Sequence, residues 1–326
     1  MTLHLTEQSA ALRLRQGRLL VELDQQILTQ MPARKVRCVV VWGNVRLTTP
    51  ALTFLLRNQV PILFNSLDGA FYGAAVPHAL APAARLRAQF NAASSIRLRL
   101  AKAFVLSKLC SSQLVLGRFA PRHPSVREIL AQLEGLSAKL EAATELDRLR
   151  GYEGIIARLY YQALQSPLSP YGFTGRNRRP PRDPVNAALS YGYALLLARV
   201  QLAVHSVGLH PEVGMLHAES RRNPALCLDL IEEFRVPVID LTVMRAFMQG
   251  VLKPLEHFED KAHGIYLNEA GRKVLIRLFE ERLTQEATHP AGWQRPFAAT
   301  IEHQAQLLAA ALMQRGEYLP YHLLKP

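Results

Sequence analysis

The sequence has few cysteines, and this shortage excludes two classes of protein. Only three of its 326 residues are cysteines, Cys38, Cys110 and Cys227, and they lie far apart with no Cys-x-x-Cys pair. An odd number of scattered cysteines indicates neither a disulfide framework nor a thiolate zinc site. We therefore expect a protein of a reducing compartment, the cytoplasm.

Long apolar runs are also absent. The segment before Leu19 has no basic head followed by an apolar stretch, so we expect no secretory signal. The most apolar helical stretch, Ala194 to Val204, is interrupted by Arg199 and Gln201 and is too short to span a bilayer. The sequence predicts no role in a membrane.

Acidic residues are scarce relative to basic ones. The chain has 39 Lys and Arg against 26 Asp and Glu, which gives a net charge of +13 and a pI of about 10.0. Such an excess attracts polyanions and favours a nucleic acid as the partner. The alternative is that the charge is spread over the surface and only aids solubility.

The pattern of apolar residues changes along the chain. Residues 1–80 are β-rich: the Leu12 to Arg15 segment alternates, Gln16-Gly17 can form a turn, and a further β-branched run spans Val36 to Trp42. Two more strands, Val60 to Phe64 and Ala70 to Val76, and a short helix, Thr49 to Arg57, complete this region. Pro77, Pro82 and the alanines between them predict a linker.

From residue 84 to 326 the spacing of apolar residues is helical. Asp183-Pro184 predicts a helix that runs to about Val207, and Asn268 predicts another over Glu269 to Leu283. The sequence thus predicts a segregated α+β protein, with a small β-rich N-terminal domain followed by a larger all-α C-terminal domain that carries the catalytic residues.

One residue before the middle of the C-terminal domain, Glu153, and one after it, His217, are candidates for the chemistry. Glu153 stands before the apolar helical stretch that starts at Ile155, where a carboxylate would be near the positive end of a helix dipole. His217 is flanked by apolar residues, and His205 and His210 compete with it. Taken singly, Glu153 fits a helix-start acid and His217 fits a structural histidine.

An acidic pair follows in the segment that runs from Leu228 to Arg235. Asp229 and Glu232 are three residues apart and share a face if the segment is helical. Carboxylate oxygens are suitable ligands for Mg²⁺ or Mn²⁺, and a histidine suits Mn²⁺ better than Mg²⁺. The alternative interpretation of this pair is the solvated face of an acidic helix.

A basic loop lies between the acidic residues. It contains four arginines, Arg176, Arg178, Arg179 and Arg182, and two prolines that limit its freedom. Arginine suits phosphate oxygens, so we expect contacts with DNA, although a solvated loop is the alternative. Further basic residues recur along the first long helical region, at Arg85, Arg87, Arg97, Arg99, Lys102 and Lys108.

These segments together resemble a known family. The ordered set is Tyr152-Glu153-Gly154, the arginine loop with Asp183-Pro184-x-Asn186, an apolar-flanked His217, and Leu-Asp-Leu-Ile-Glu-Glu-Phe-Arg from Leu228. It is similar to that of the CRISPR-associated adaptation integrase, also called CRISPR-associated endonuclease one, over nearly the whole chain. The segment Tyr266 to Arg272 also resembles the family.

The resemblance implies the roles of individual residues. Glu153, His217 and Glu232 match the catalytic metal ligands of the family, whose last acid is Asp in other members. Asn186 and Tyr191 match residues on the helix that lines the site, and Asp229 is a supporting or alternative ligand. The implied cofactor is Mg²⁺ or Mn²⁺.

The resemblance also implies partners and an activity. The chain is expected to insert short DNA fragments, spacers, into the CRISPR array, by attack of a DNA 3′-hydroxyl on a phosphodiester. The expected partners are duplex DNA with free 3′ ends, the CRISPR repeat, a second copy of the chain bound through the β-rich domain, and a small ferredoxin-like CRISPR-associated protein. A metal-dependent repair nuclease and a non-catalytic nucleic-acid-binding scaffold are the alternative functions.

Overall fold

A β-hairpin with two residues of positive φ at its turn organises the N-terminal part of the chain. In the computed structural model, which describes residues 1–77, 83–178, 180–218, 224–261 and 263–324, φ is 46° at Gln16 and 72° at Gly17. Two positive φ angles give the turn a twist that matches that of paired strands. The flanking strands are antiparallel, with Leu12 opposite Val21, so the predicted hairpin is confirmed.

Eight strands, one α-helix and a short 3-10 helix, Ala33–Lys35, are found in the described part of this N-terminal unit, which spans Met1–Leu80. They are β1 (Thr2–Leu5), β2 (Ala11–Arg15), β3 (Arg18–Leu23), β4 (Gln26–Pro32), β5 (Cys38–Trp42), β6 (Arg46–Leu47), α1 (Thr49–Arg57), β7 (Ile62–Asn65) and β8 (Phe71–Ala75). One sheet has the order β4-β3-β2-β6 and the other β1-β5-β7-β8. Both sheets and α1 bury side chains in one core, including Leu5, Leu12, Leu55 and Ile62.

The second unit, Ala81–Pro326, is mostly helical. Its helices are α2 (Ala83–Phe90), α3 (Ser94–Phe119), α4 (Pro124–Glu134), α5 (Ser137–Glu141), α6 (Leu146–Ala163), α7 (Gln165–Leu168), α8 (Pro184–Ser206), α9 (Ala225–Ile231), α10 (Leu241–Met248), α11 (Pro254–His257), α12 (Glu269–Thr284) and α13 (Phe297–Leu312). A π-helical turn, Arg235–Asp240, leads into α10.

The segregated α+β class is confirmed, but the description of the second region as all-α is too simple. Two hairpins occur in it, β9 (Phe258–Lys261) with β10 (Gly264–Leu267) and β11 (Glu286–Thr288) with β12 (Gln294–Pro296). These strands are three or four residues long, too short for alternation to be recognised in the sequence. The predicted linker falls largely on residues 78–82, outside those described.

Helix caps account for two correctly predicted helices. The Asp183 side chain accepts a hydrogen bond from the Asn186 amide at 2.8 Å, and Pro184 is the first residue of α8. Asn268 caps α12 by accepting from the amide of Gly271 at 2.9 Å. A side-chain oxygen at this position satisfies an amide that has no partner within the helix, which is why these residues mark the two starts.

Two helices, α3 and α8, are long and apolar enough by length and composition to cross a bilayer. In the structure 61% of the most apolar window of α3 and 72% of that of α8 are buried. Their apolar surface is therefore covered by neighbouring helices of the same unit, as in the core helices of a folded domain.

Candidate active site

The buried ammonium group of Lys108 is the point at which two of the candidate residues meet. Lys108 lies in the middle of α3 and is 6% exposed. Its Nζ forms an ion pair with Glu153 Oε1 and lies 2.9 Å from Glu232 Oε2. The fold thus brings together two acids that are far apart in the sequence and belong to different elements.

The position of Glu153 in its helix differs from the sequence-based expectation. Helix α6 begins at Leu146, two turns before Glu153, so this carboxylate is not at the positive end of the helix dipole. What stabilises its charge is the ammonium of Lys108 rather than the helix terminus. The sequence suggested a later start because the apolar residues become regular only from Ile155 onwards.

Glu232 follows directly after α9 and is buried, with 2% of its surface exposed. Its Oε1 accepts a hydrogen bond from Arg235 Nη1 at 2.6 Å, and its other oxygen faces Lys108. Burial raises the pKa of Glu232, but the charges of Arg235 and Lys108 outweigh burial and hold that pKa well below 4.5. Glu232 is therefore ionised, and the alternative of a solvated acidic face is wrong.

His217 is held in place by Asp229, which is fully buried. One carboxylate oxygen of Asp229 accepts from the amides of Met215 at 2.5 Å and Leu216 at 3.0 Å. The other accepts from the amide of His217 at 2.9 Å and contacts its ring Nδ1 at 2.7 Å. The loop wraps closely around this acid, since a Cβ on Gly214 would lie 3.0 Å from Asp229 Oδ2.

The contact with Asp229 also sets the chemical state of the imidazole. A carboxylate at Nδ1 places the proton on that nitrogen and directs the lone pair of Nε2 to the opposite side of the ring. Burial lowers the pKa of His217, but the hydrogen bond and charge of Asp229, with the charges of Glu232 and Glu153, raise it above 6.5. His217 is thus within electrostatic reach of both acids that contact Lys108.

The two competing histidines lie elsewhere in the helical unit. The ring of His210 accepts a hydrogen bond from the amide of Glu212 and packs against Phe90 at 5.8 Å between centroids. Burial, and then the charge of His210, lower the pKa of His205. The contacts described for these two rings include neither Glu153 nor Glu232, so the geometry favours His217 as the site histidine.

The donor set fits a divalent cation, although its arrangement is not that of a metal cage. Within the described ranges, no three His, Cys, Asp or Glu side chains form a group that could hold a metal as they stand. Lys108 Nζ lies between the carboxylates of Glu153 and Glu232. Glu232 Oε2 faces this ammonium without a well-directed hydrogen bond, which leaves an oxygen with unused acceptor capacity in a buried site.

The side chain of Asn186 holds the arginine loop through hydrogen bonds. Its Oδ1 accepts from Arg176 Nη1 at 2.7 Å and from the amide of Asn177 at 3.0 Å, and its Nδ2 donates to Gly175 O at 2.8 Å. Tyr191, farther along α8, is buried at 4% exposure. The role of Tyr191 in lining the site stays a prediction.

The arginines of the loop fall into two groups. Arg176 donates to Ser190 Oγ at 3.0 Å and lies over the rings of Tyr161 and Tyr193, so its guanidinium is held by the protein. Arg178 and Arg182 are exposed, whereas Arg179 lies outside the described residues. A cavity of about 590 Å³ between α6 and the loop is lined by Arg158, Tyr161, Gln162, Arg176 and Arg178, among others.

Several of the basic residues that recur along the first long helical region bond within the protein. Arg97 Nη2 donates to Gly214 O at 3.0 Å, and Arg85 donates to the carbonyl of Val207. Lys108 is buried beside the acids. One signal in the sequence could have identified it, since Lys108 is the only charged residue in a run of apolar, small and polar residues from Ala103 to Gly117.

Next to Glu232, the structure shows a second kind of buried acid that the sequence did not indicate. Glu233 accepts hydrogen bonds from Tyr318 Oη, from Gln304 Nε2 at 2.7 Å and from the amide of Tyr321 at 2.9 Å. Burial raises its pKa to about 7, against the lowering effect of these donors. Asp240 is similar, since burial raises its pKa to about 6 although Tyr193 donates to it.

Comparisons with known proteins agree on one family. The family model described as CRISPR associated protein Cas1 matches residues 3–281. A relative from Thermus thermophilus, named CRISPR-associated endonuclease Cas1 1, is 57% identical over 99% of both chains. Because that identity extends over both full lengths, the similarity includes both units of the chain.

Two solved structures share the fold at lower sequence identity. A casposase bound to integration product has a TM-score of 0.85 and 23% identity, over 98% of this chain and 92% of the casposase. A chain of a Cas6-RT-Cas1–Cas2 complex has a TM-score of 0.87 and 23% identity, over 100% of this chain and 36% of that longer one. At such identities these two matches establish the fold alone.

Proposed function

Because the chain belongs to the CRISPR-associated Cas1 family, we propose that it is a metal-dependent DNA endonuclease and integrase that inserts spacers into a CRISPR array. The observation that carries this proposal is the convergence of Glu153 and Glu232 on one buried cation. Beside them, the charges of both acids act on His217, whose Nδ1 is fixed by Asp229. Two carboxylates and an imidazole form a ligand set for a catalytic divalent metal.

The residues that would hold Mg²⁺ or Mn²⁺ are Glu153, His217 and Glu232. Glu153 and Glu232 supply hard oxygen ligands, and His217 supplies Nε2 because Asp229 holds Nδ1. When bound, the metal acts as a Lewis acid on a phosphate oxygen and lowers the pKa of the attacking hydroxyl. Asp229 acts through His217, since its two oxygens accept from the His217 loop.

The reaction proposed is a transesterification at phosphorus. The 3′-hydroxyl oxygen of the incoming DNA forms a bond to the target phosphorus and loses its proton, while the bond from phosphorus to the target 3′-oxygen breaks. The displaced oxygen takes up a proton, so the number of phosphodiester bonds is unchanged. Water in place of the 3′-hydroxyl gives cleavage, which makes endonuclease and integrase activity two outcomes of one site.

DNA contacts are assigned to the exposed arginines of the loop. Arg178 and Arg182 are accessible to phosphates, and Arg158 and Arg178 line the cavity next to α6, the helix that carries Glu153. Arg179, in the same loop, belongs to the proposed surface by sequence. Arg176 holds the loop against α8 through hydrogen bonds to Asn186 and Ser190. Its substitution therefore tests the structure of the loop as well as DNA binding.

The proposed assembly contains two copies of the chain and a second protein. Strand β4 is at an edge of its sheet, with Ile27 50% and Leu28 46% exposed, and Tyr72 of the edge strand β8 is 74% exposed. Unpaired edges with exposed apolar side chains favour association through the N-terminal unit. One chain of a complex that contains Cas1 and Cas2 shares the fold of this chain. This likeness supports a Cas2-type partner, which we propose to be small and ferredoxin-like.

The proposed setting is the cytoplasm. Cys38, Cys110 and Cys227 are thiols rather than members of disulfides, as expected in a reducing compartment.

The decisive experiment is a strand-transfer assay. The chain, with its Cas2-type partner and Mn²⁺, should join a short duplex with free 3′ ends to a supercoiled plasmid that carries a CRISPR repeat. His217→Ala should reduce joining and cleavage by orders of magnitude but keep duplex affinity, because it removes a ligand and little surface charge. His210→Ala is the matched control, since its ring packs against Phe90 away from the site.

The same assay distinguishes the alternatives. Plasmid degradation without joining would favour a repair nuclease. Duplex binding with neither cleavage nor joining, in a folded protein supplied with metal, would favour a scaffold. If His217→Ala joins DNA as efficiently as wild type, His217 is not part of the proposed catalytic site.

A further inference from the structure

We infer that Lys108 is a tethered cation that competes with a divalent metal for the carboxylates of Glu153 and Glu232, so that metal binding displaces its ammonium group. The inference rests on the proposed metal site and concerns what sets the affinity of that site. It gives a role to a buried lysine that the proposed reaction does not otherwise use.

The first step in the argument is position. Lys108 Nζ contacts Glu153 Oε1 and Glu232 Oε2, one oxygen from each of the two carboxylates proposed as ligands. A cation that binds both acids at once must occupy the space between them. The ammonium already lies there, so the two cations cannot occupy that space together.

The second step is charge. Glu153 and Glu232 carry two negative charges, and Lys108 and Arg235 carry two positive charges against them. Acids that already face two positive charges gain less from a further divalent cation than acids without such partners.

The third step is that Lys108 is held by its helix rather than by its charge alone. Its neighbours Ser107 and Ser111 are buried and bonded to the segment that follows α13: Ser107 donates to the carbonyl of Tyr321, and Ser111 accepts from the amide of Leu323 at 3.2 Å. The backbone of α3 is thus fixed on this side. When the ammonium is displaced, only the flexible side chain moves, and Nζ stays near the site.

The test measures Mn²⁺ affinity without DNA, by electron paramagnetic resonance of free Mn²⁺ or by calorimetry on the full chain. Lys108→Met removes the charge and keeps most of the stem, so it should bind Mn²⁺ at least about tenfold more tightly than wild type. Lys108→Arg keeps the charge and should show no such gain. Lys102→Met is the matched control, because Lys102 is on the same helix and bonds instead to Glu141 O.

Unchanged or weaker Mn²⁺ binding by folded Lys108→Met would overturn the inference, because it would mean that the lysine only holds the acids in place. Lys108→Gln replaces it in the test if the methionine variant fails to fold. In wild type, titration with Mg²⁺ should shift the Nζ resonance of Lys108, assigned by its loss in Lys108→Arg. A resonance unmoved at saturating Mg²⁺ would also contradict displacement.

Glu232→Gln separates this inference from the proposed function. If Mn²⁺ binding survives Glu232→Gln unchanged, the metal site itself is wrong, whatever Lys108→Met does. If Glu232→Gln abolishes binding and Lys108→Met does not strengthen it, only the role of the lysine is wrong. Stronger binding by Lys108→Met that is lost again in the Lys108→Met, Glu232→Gln double variant supports both.

Discussion

Glu232 and Glu233 are neighbours in the chain and both are buried, but they face regions that give them opposite acidities. Glu232 faces Arg235 and Lys108, and these cations hold its pKa well below 4.5 despite burial. Glu233 faces Tyr318, Gln304 and a backbone amide, and burial raises its pKa to about 7. The difference shows that the partners of a buried acid, not burial itself, decide whether it is an anion available to a metal.

The same contrast separates Asp229 from Asp240. Both carboxylate oxygens of Asp229 contact the His217 loop, through its backbone amides and the ring of His217. Asp240 accepts from Tyr193 in the core, and burial raises its pKa to about 6. Of these four acids, Glu232 contacts the ammonium of Lys108, Asp229 orients the histidine, and Glu233 and Asp240 accept hydrogen bonds from tyrosine hydroxyls.

The strongest test of this contrast compares Glu232→Gln with Glu233→Gln. Glu232→Gln removes the charge of a proposed metal ligand and should reduce DNA cleavage and Mn²⁺ affinity by orders of magnitude. Glu233→Gln replaces an acid whose partners are neutral donors, so Mn²⁺ affinity should stay close to that of wild type. Cleavage assays and Mn²⁺ titration of the two folded variants measure both effects. Equal losses in the two variants would show that the two acids act as one unit.

The second test uses pH. Because Asp240 has a pKa of about 6 in the folded protein against 3.8 ordinarily, the folded state binds its proton more tightly than the unfolded chain. The free energy of unfolding should therefore fall as pH rises from about 4 to about 6, by up to about 3 kcal/mol from this group. Asp240→Asn cannot ionise, so urea unfolding of this variant should show a flatter pH dependence.

Ionisation of Glu233 should lower the free energy of unfolding over a higher pH range, up to about pH 7. This second group provides the control. In Asp240→Asn the remaining fall in stability should be shifted toward that upper range. If the variant loses stability between about pH 4 and 6 as steeply as wild type, Asp240 is ionised in the folded protein and does not belong with Glu233.

Asp229→Asn tests whether Asp229 acts through the histidine. An amide cannot accept at both of its polar atoms, so the bonds to the His217 loop would be incomplete. Loss of a group that orients a metal-bound histidine lowers metal affinity by about 10- to 100-fold. Mn²⁺ titration measures this, with Asp147→Asn as control because Asp147 has a side-chain exposure of 88%. An unchanged affinity would leave Asp229 with a purely structural role.

The smallest expected effect is on the salt dependence of DNA binding by variants of the arginine loop. This test separates the arginines that face solvent from the arginine that faces the protein. Arg178→Ala and Arg182→Ala should each lower the slope of log affinity for duplex DNA against log salt by about one, since each exposed arginine replaces counterions at a phosphate. Arg277→Ala, an exposed arginine of α12 paired with Glu281, should leave the slope unchanged.

Arg176→Ala should instead lower thermal stability, since Arg176 bonds to Asn186 and Ser190. A reduced salt slope with unchanged stability would place its guanidinium on the DNA.

Much of the fold follows from local patterns in the sequence. The Gln16-Gly17 turn, the Asp183-Pro184 start of α8 and the Asn268 cap of α12 all depend on residues close together in the chain. Strand β4 was missed because its first five residues are exposed and show no apolar alternation. The short hairpins of the helical unit were missed because they contain too few residues for a period to appear.

The site was predictable in part. The order of Glu153, His217 and Glu232 along the chain identified candidates, and their assignment as metal ligands stays a prediction. Three features depended on tertiary packing: Lys108 between the acids, Arg235 on Glu232, and Arg176 turned inward. A buried lysine and a surface lysine look alike in a sequence unless the surrounding run of uncharged residues is noticed.

The assembly of the site from α3, α6 and the end of α9 has a consequence for how the chain folds. Lys108 and Glu153 are 45 positions apart, and Glu232 is farther still, so no single segment contains the site. A folding intermediate with only local helices would have no affinity for a divalent ion. Such an ion would therefore slow unfolding and leave the refolding rate nearly unchanged. It would stabilise the folded state without stabilising the transition state for folding.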